Sequence, residues 1–342
     1  MGTSIAADHG ATCSKAAAFV WCAVAVASAG VLAPTAEAQD QYPSHFVKVI
    51  TTTGTGTGPD VITRLIADQL SRAWGHQVVV ENNSTGGGMV AAQQTANATP
   101  DGYTLLAASA SAFTVLPIRQ ERAPTVVGTH LKPIAYYGDQ PLVVAVSPSL
   151  GVNSVAELVA LAKRDPDKVL YAANVSGTLP HMTGEVLKAR SGAPYRFVPY
   201  RGGAEGLKDV LSGQINMIID GYPALEGTMK SGHIKPIAVT SSKRIPNLPD
   251  VPTVAETIPG FLSIGWAALM APIGVPDQIV QKSNTDMRRV MDSAEVKGRM
   301  NELGAYPVSM STDELGSFIK SEQELWWPVV RQILAQPAAE KT

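Results

Sequence analysis

The chain has only two cysteines among its 342 residues, Cys13 and Cys22, both within the first 22 positions. It has no surplus of basic charge, with 27 Lys plus Arg against 29 Asp plus Glu, and aromatic residues make up only 6%. A nucleic-acid-binding chain normally carries a basic excess to neutralise phosphates, so that class is excluded. Charged residues at 16% are too sparse for a disordered polyelectrolyte, and 45% hydrophobic residues are too few for a protein of many membrane spans. What remains is a folded globular chain with material for two domains, at roughly 150 residues each.

Long hydrophobic runs are also scarce, and residues 16–33, AAAFVWCAVAVASAGVLA, form the one such run. Lys15 precedes it, and Ala36-Glu37-Ala38 follows as a small-x-small cleavage site. This is the pattern of an export signal, 1–38; a membrane anchor is the alternative, because roughly 18 apolar residues just span a bilayer. Cleavage after Ala38 leaves 342 − 38 = 304 residues without cysteine. Lys15, Asp8 and Glu37 leave with the signal, so 26 basic and 27 acidic residues remain, a net charge of −1. Such a chain, expected in the periplasm, relies on its core rather than on disulfides, and thiol catalysis and Cys-zinc sites are excluded.

What is present is a repeated rhythm of strand, glycine-rich loop and helix. Phe46 to Thr53 is a β-branched strand, GTGTG follows at 54–58, and Pro59 opens a helix with Val61, Ile62, Leu65, Ile66 and Leu70 at helical spacing. Strands are expected at 77–80 and 103–108, with a helix over 89–98 between them. The rhythm restarts after Leu131. Strands fall at 134–137, 142–146, 169–173, 197–200, 215–220 and 237–240. Ser154 and Glu157 form a capping box for a helix over 155–163, and NVSGTLPH at 174–181 and RGGAEG at 201–206 each precede a helix. After WAALMAPIG come two amphipathic helices, about 277–303 and 312–334. The alternation specifies an α/β fold with a mostly parallel sheet.

In such folds ligands bind outside the carboxyl ends of the strands. The segments there read TTTGTGTGPD, ASASAF, NVSGTLPH, YRGGAEG and DGYP. They offer hydroxyls, glycine amides and helix N-termini, a set suited to a carboxylate held by hydrogen bonds and helix dipoles. Each feature has a plain structural reading beside the functional one. Ser109, Ser111, Ser176 and Thr178 either cap helices or touch ligand. Arg201 either faces solvent or binds an anion, Asp220 either caps a turn or accepts from ligand, and His181 either packs at a helix start or touches ligand. Catalytic motifs are missing. Gly54, Gly56 and Gly58 begin a dinucleotide fingerprint, but Pro59 stands where the pattern needs glycine. The phosphate-loop, G-x-S-x-G and H-E-x-x-H motifs are absent, and the histidines show no ligand spacing. The chain is therefore expected to be no enzyme, with no metal or cofactor.

Six segments in order carry a resemblance: TGTGTGPDVITRLIADQLSRAWGHQVVVENNSTGGG, ATPDGYTLL, SVAELVALAKRDPDKVLYAANVSGT, FVPYRGGAEGLKDVLSGQINMIID, PIAVTSSKRIPNLPDVPTVAE and WAALMAPIGVP. Over Tyr42 to about Val330 the chain resembles the Bug or TctC-like substrate-binding proteins of tripartite tricarboxylate transporters. The resemblance implies a type II periplasmic-binding-protein fold. Two α/β domains, 42–141 plus 266–342 and 142–265, would close around a small carboxylate. It also implies membrane transporter subunits as partners and a monomer in solution. The site it implies includes Thr53, Thr55, Gly56, Gly58 and Asp60 of the first loop, beside Ser109 and Ser111 from the strand-end loops. From the second domain it adds Asn174, Ser176, Gly177, Thr178, His181, Arg201, Gly202 and Asp220.

One departure stands out. Where the family's first loop has a proline and a bulky aromatic, this chain has Thr52 and Thr53. A roomier and more polar cleft follows, and with it a longer or bulkier acid than aspartate or malate. Presentation to a membrane sensor, a periplasmic hydrolase and a protein-interaction module remain open as other readings.

Overall fold

A computed structural model describes residues 42–120, 123–173, 176–200 and 203–335. The proposed signal, Asn174, Arg201 and Gly202 lie outside the described residues. Among the described residues, no helix is long and apolar enough to cross a membrane.

The first half of the sheet is built as the hydrophobic rhythm requires. Strand β1 (Val47–Thr51) leads into helix α1 (Gly58–Trp74), which opens with proline and ends at Gly75 in the left-handed region. Ile62, Ile66 and Leu70 of α1 are buried against Val49 of β1 and Leu105 of β3, while Val61 is left exposed. Strand β2 (Val78–Asn82), helix α2 (Met89–Ala96) and strand β3 (Thr104–Ser109) follow. β1 pairs in parallel with both β2 and β3. Two short helices, α3 (Ala110–Thr114) and α4 (Leu116–Arg119), then carry the chain across the strand ends.

The next element departs from expectation. The two strands anticipated at 134–137 and 142–146 are one 16-residue strand, β4 (Leu131–Val146), kinked by register shifts near Pro133 and Gly138. Proline and glycine punctuate the sequence, but bulges absorb them without ending the strand. Up to Pro141, β4 pairs antiparallel with β9 (Ile264–Pro272); from Leu142 it pairs antiparallel with β7 (Met217–Gly221) and β8 (Lys235–Val239). The WAALMAP segment is thus a strand.

The second half contains α5 (Val155–Arg164), β5 (Leu170–Ala172), α6 (Leu179–Ser191), β6 (Arg196–Val198) and α7 (Gly203–Leu211). After β7 comes a helix without counterpart in the sequence reading, α8 (Tyr222–Lys230). At α5 the capping box is half formed. Ser154 Oγ accepts from Glu157 N–H, but the Glu157 carboxylate accepts from Asn153 N–H, one residue earlier than the motif requires. The helix expected over 277–303 is broken in two, α9 (Asp277–Asp292) and α10 (Ala294–Glu302), because Ser293 caps the second. The last helix is α11 (Thr312–Ala335).

The described strands run in the order β2-β1-β3-β9-β4-β7-β5-β6, with β8 beside β4. Four pairings are parallel and four antiparallel, which corrects the expectation of a mostly parallel sheet. The antiparallel pairs all involve β4 or β9, because both long strands run back across the units that the parallel strands build. One apolar cluster spans both halves, from Phe113, Trp266 and Trp326 to Val144, Tyr171 and Met182. Two smaller clusters lie on the other face of each half. A polar contact ties β9 to α11, and another lies within β4. Trp266 Nε1 donates to Glu322 at 2.9 Å, and Tyr136 Oη donates to Asp139 at 2.8 Å. Burial holds both carboxyls above the usual range.

Candidate functional site

The carboxyl ends of β1, β3 and β5 open onto loops, and the segments after β3 and β5 meet across the two halves. The first loop is fixed by its own carboxylate. Asp60, in the first turn of α1, is 1% exposed and receives three donors. Gly56 N–H reaches Oδ2 at 2.8 Å, Asn82 Nδ2 reaches Oδ1 at 2.7 Å, and the Arg64 guanidinium lies 3.2 Å from both oxygens. Burial pushes this carboxyl up, but the bonds from Asn82, Gly56 and Arg64 outweigh it, and the net shift is downward. Asn82 also donates to the Thr53 carbonyl, so the loop is held at both ends. Gly56 sits at φ +78°, a conformation that glycine adopts without strain.

This arrangement shows how two residues of the expected site are already engaged within the loop. Gly56 and Asp60 satisfy each other there. Thr57 precedes Gly58 as the α1 cap, and its hydroxyl donates to the Gly54 carbonyl at 2.8 Å instead of capping the helix. Thr55 lies at the exposed tip. Thr53 is half-buried, with its hydroxyl 3.0 Å from that of Thr51. Thr52 is buried, and its Oγ1 accepts from Ser109 N–H at 3.1 Å, tying the end of β1 to the end of β3. A Cβ on Gly88 would stand 2.6 Å from Thr52 Cβ, so Thr52 fits only because glycine stands opposite.

The second loop, 176–178, is fixed by an uncharged ring. Gly177 N–H donates to His181 Nδ1 at 3.0 Å, which places the ring proton on Nε2 when the imidazole is neutral. His181 is buried against Phe197, with ring centroids 4.0 Å apart. Burial lowers its pKa to about 4, opposed by Glu185 and assisted by Arg119 and Lys188. The ring is therefore neutral at pH 7. Thr178 caps α6 by position. At the end of β7, Asp220 is buried and accepts from the adjacent Gly221 N–H at 2.7 Å.

Among the described residues, Asn247 joins the halves by donating to the Asn301 carbonyl and accepting from Tyr306 Oη, and two more hydrogen bonds join them at these loops. Leu179 N–H, at the start of α6, donates to Ser111 Oγ at 3.2 Å, and Arg119 Nη1 donates to the Ser176 carbonyl at 3.1 Å. Ser111 keeps its own hydroxyl proton to offer. Arg119 is pressed so closely on the loop that a Cβ at Gly177 would lie 2.3 Å from Nη1. The structure thus brings Ser111, Ser176, Gly177, Thr178 and His181 together, with Ser109 linked to Thr52. The sequence does not single out Arg119, and it marks Thr52 only as a departure from the family's proline. Arg119 ends a short Pro-containing helix with no loop signature, and only the meeting of the two halves reveals its partner.

No described group of three or more His, Cys, Asp or Glu residues is placed to hold a metal ion. A cavity of about 390 Å³ lies elsewhere, against α11, lined by Val127, Gly316, Lys320, Gln323, Glu324 and Trp327.

Residues 62–334 match the family described as Tripartite tricarboxylate transporter family receptor, TctC. The chain belongs to this family. Its curated relatives include Protein BugT of Bordetella pertussis, 33% identical over 309 residues that cover 90% of this chain and 94% of that protein. Among solved structures, R. palustris Rpa4515 with adipate superposes with a TM-score of 0.78 at 30% identity, over 85% of this chain and 97% of that one. MatC from Rhodopseudomonas palustris with bound malate gives 0.75 at 25% identity, over 84% and 100%. The fold is that of the TctC and Bug periplasmic binding proteins, and the chain is a solute-binding protein of that family.

Proposed function

We propose that the chain is exported to the periplasm, captures a small organic carboxylate between its two halves, and delivers it as a monomer to membrane subunits of a tripartite tricarboxylate-type transporter. The observation that carries this reading is the meeting of strand-end loops from both halves at Ser111–Leu179 and Arg119–Ser176. Loops contributed by two halves hold a ligand best when the halves are together, so ligand selects the closed arrangement. The relatives solved with adipate and malate support an acid as the occupant. Closure turns on the two long strands, where β4 changes partners after Pro141 and β9 begins at Ile264, so 42–141 plus 266–342 and 142–265 move as two bodies. No bond is made or broken in this cycle.

The acid is longer or bulkier than malate, because Thr53 leaves space where relatives carry a large ring. Asn174, Arg201 and Gly202 complete the set by resemblance. A thermal-shift panel of mono-, di- and tricarboxylates tests the reading. At a hundredfold excess over Kd, the cognate acid adds about 2.7 kcal/mol of stability. Absence of any response overturns the function, and preference for a four-carbon diacid over every longer acid overturns the ligand class.

A further inference from the structure

Gln140 lies on β4 opposite Gly265 of β9, two residues before β4 changes partners. Its side-chain Nε2 is buried and makes no hydrogen bond. The surroundings fix where it stands. A Cβ built on Gly265 would lie 3.5 Å from Gln140 Cβ and 3.7 Å from Leu179 Cδ2. Gln140 and the first residue of α6 therefore share one face of the crossing strands, and Leu179 is the residue whose N–H is held by Ser111. Gly265 is required there, since its Cβ would also press to 2.8 Å from the Gln140 carbonyl.

A buried amide donor without an acceptor is destabilising, and in native proteins such groups mark a missing partner. We propose that Gln140 is a specificity-determining residue of this cleft, donating its side-chain N–H to a carboxylate oxygen of the bound acid. This deepens the functional reading above and rests on it. The donor is neutral and sits on a strand, so it recognises the position of an oxygen rather than negative charge in general. A molecule without an acceptor at that point leaves the amide unpaired and is rejected, which is how buried polar groups discriminate most strongly. Because β4 belongs to both halves, Gln140 forms a fixed floor against which the loops close.

The test uses the purified chain and two variants, Gln140→Met, which keeps the length without the donors, and Gln140→Glu. Adipate and malate are the probes, titrated by calorimetry, with melting measured in parallel. Gln140→Met is expected to bind the preferred acid about 10-fold more weakly while melting, without ligand, no lower than the parent. Gln140→Glu is expected to lose more, and to regain part of the loss as the pH is lowered. Equal affinity in parent and Gln140→Met overturns the proposal. So does a lower ligand-free melting temperature, which would assign the amide to the fold. A parent chain that binds no acid of the carboxylate panel overturns the functional reading, whereas equal binding in parent and Gln140→Met overturns this proposal alone, so the two failures are told apart.

Discussion

The strand-end loops of the two halves, 53–60 and 176–181, are stiffened by opposite electrostatic means. In 53–60 an ionised carboxylate, Asp60, gathers Gly56, Asn82 and Arg64 around itself. In 176–181 a neutral imidazole, His181, accepts from Gly177, and a cation from the other half, Arg119, completes the turn. The first loop is self-contained and belongs to one half. The second depends on the other half being close. A loop stapled internally keeps its shape whatever the cleft does, whereas a loop held across the cleft changes its environment when the halves part. In the closure proposed above, the first loop keeps its shape and the second responds to the position of the other half.

Removing the internal staple is the largest blow. Asp60→Ala leaves the Gly56 amide, Asn82 and Arg64 without their acceptor, and a loss of about 3 kcal/mol is expected, read by denaturant unfolding. A loss under about 0.5 kcal/mol would show that the first loop does not depend on its carboxylate.

Acidification should separate the loops. Asp60 has a folded pKa below the ordinary carboxylate value, so its contribution is present above pH 3.8 and is lost only as pH falls through the lower folded value. His181 has a folded pKa near 4 against 6.5 unfolded. The unfolded chain binds the extra proton between those values, so stability falls as pH drops from 6.5 towards 4, by up to about 3 kcal/mol. The second loop therefore weakens first. His181→Asn retains an acceptor for Gly177 N–H and cannot titrate, so the slope of stability against pH over this window should flatten; an unchanged slope would remove His181 from the comparison.

Gly177→Ala places a side chain at φ +85°, against Arg119. A cost of about 1–2 kcal/mol is expected, and in an Arg119→Ala background only the backbone part should remain. Equal costs in the two backgrounds would show that Arg119 does not crowd the loop. Ser111→Ala removes one neutral bond between the halves. The expected effect is the smallest, about 1 kcal/mol, appearing as weaker acid binding more than as lower ligand-free stability.

Much of this was legible in the chain itself. The α1 stripe of Ile62, Ile66 and Leu70, the proline start of α1 and the strand-end positions of Ser109, Ser176 and Asp220 follow from local periodicity and turn chemistry. The continuity of β4 through Pro133 and Gly138 did not, because a bulge is licensed by the partner strand and leaves no local signal. Helix α8 was hidden behind Gly221, Tyr222 and Pro223, read as a turn although proline also starts helices. The pairing of Gly56 with Asp60 was hidden too, since a glycine-rich loop offers amides to a ligand or to its own carboxylate with equal ease.

The sequence by itself determined the class of the molecule, the alternation of its elements and the loops that meet at the cleft, because hydrophobic period and loop composition are local properties. Only the tertiary structure decided which donors are already used. Hydrogen bonds saturate, and whether Ser111, Arg119 or Gln140 has a partner depends on residues that distant segments such as β9 and the start of α6 bring from far along the chain.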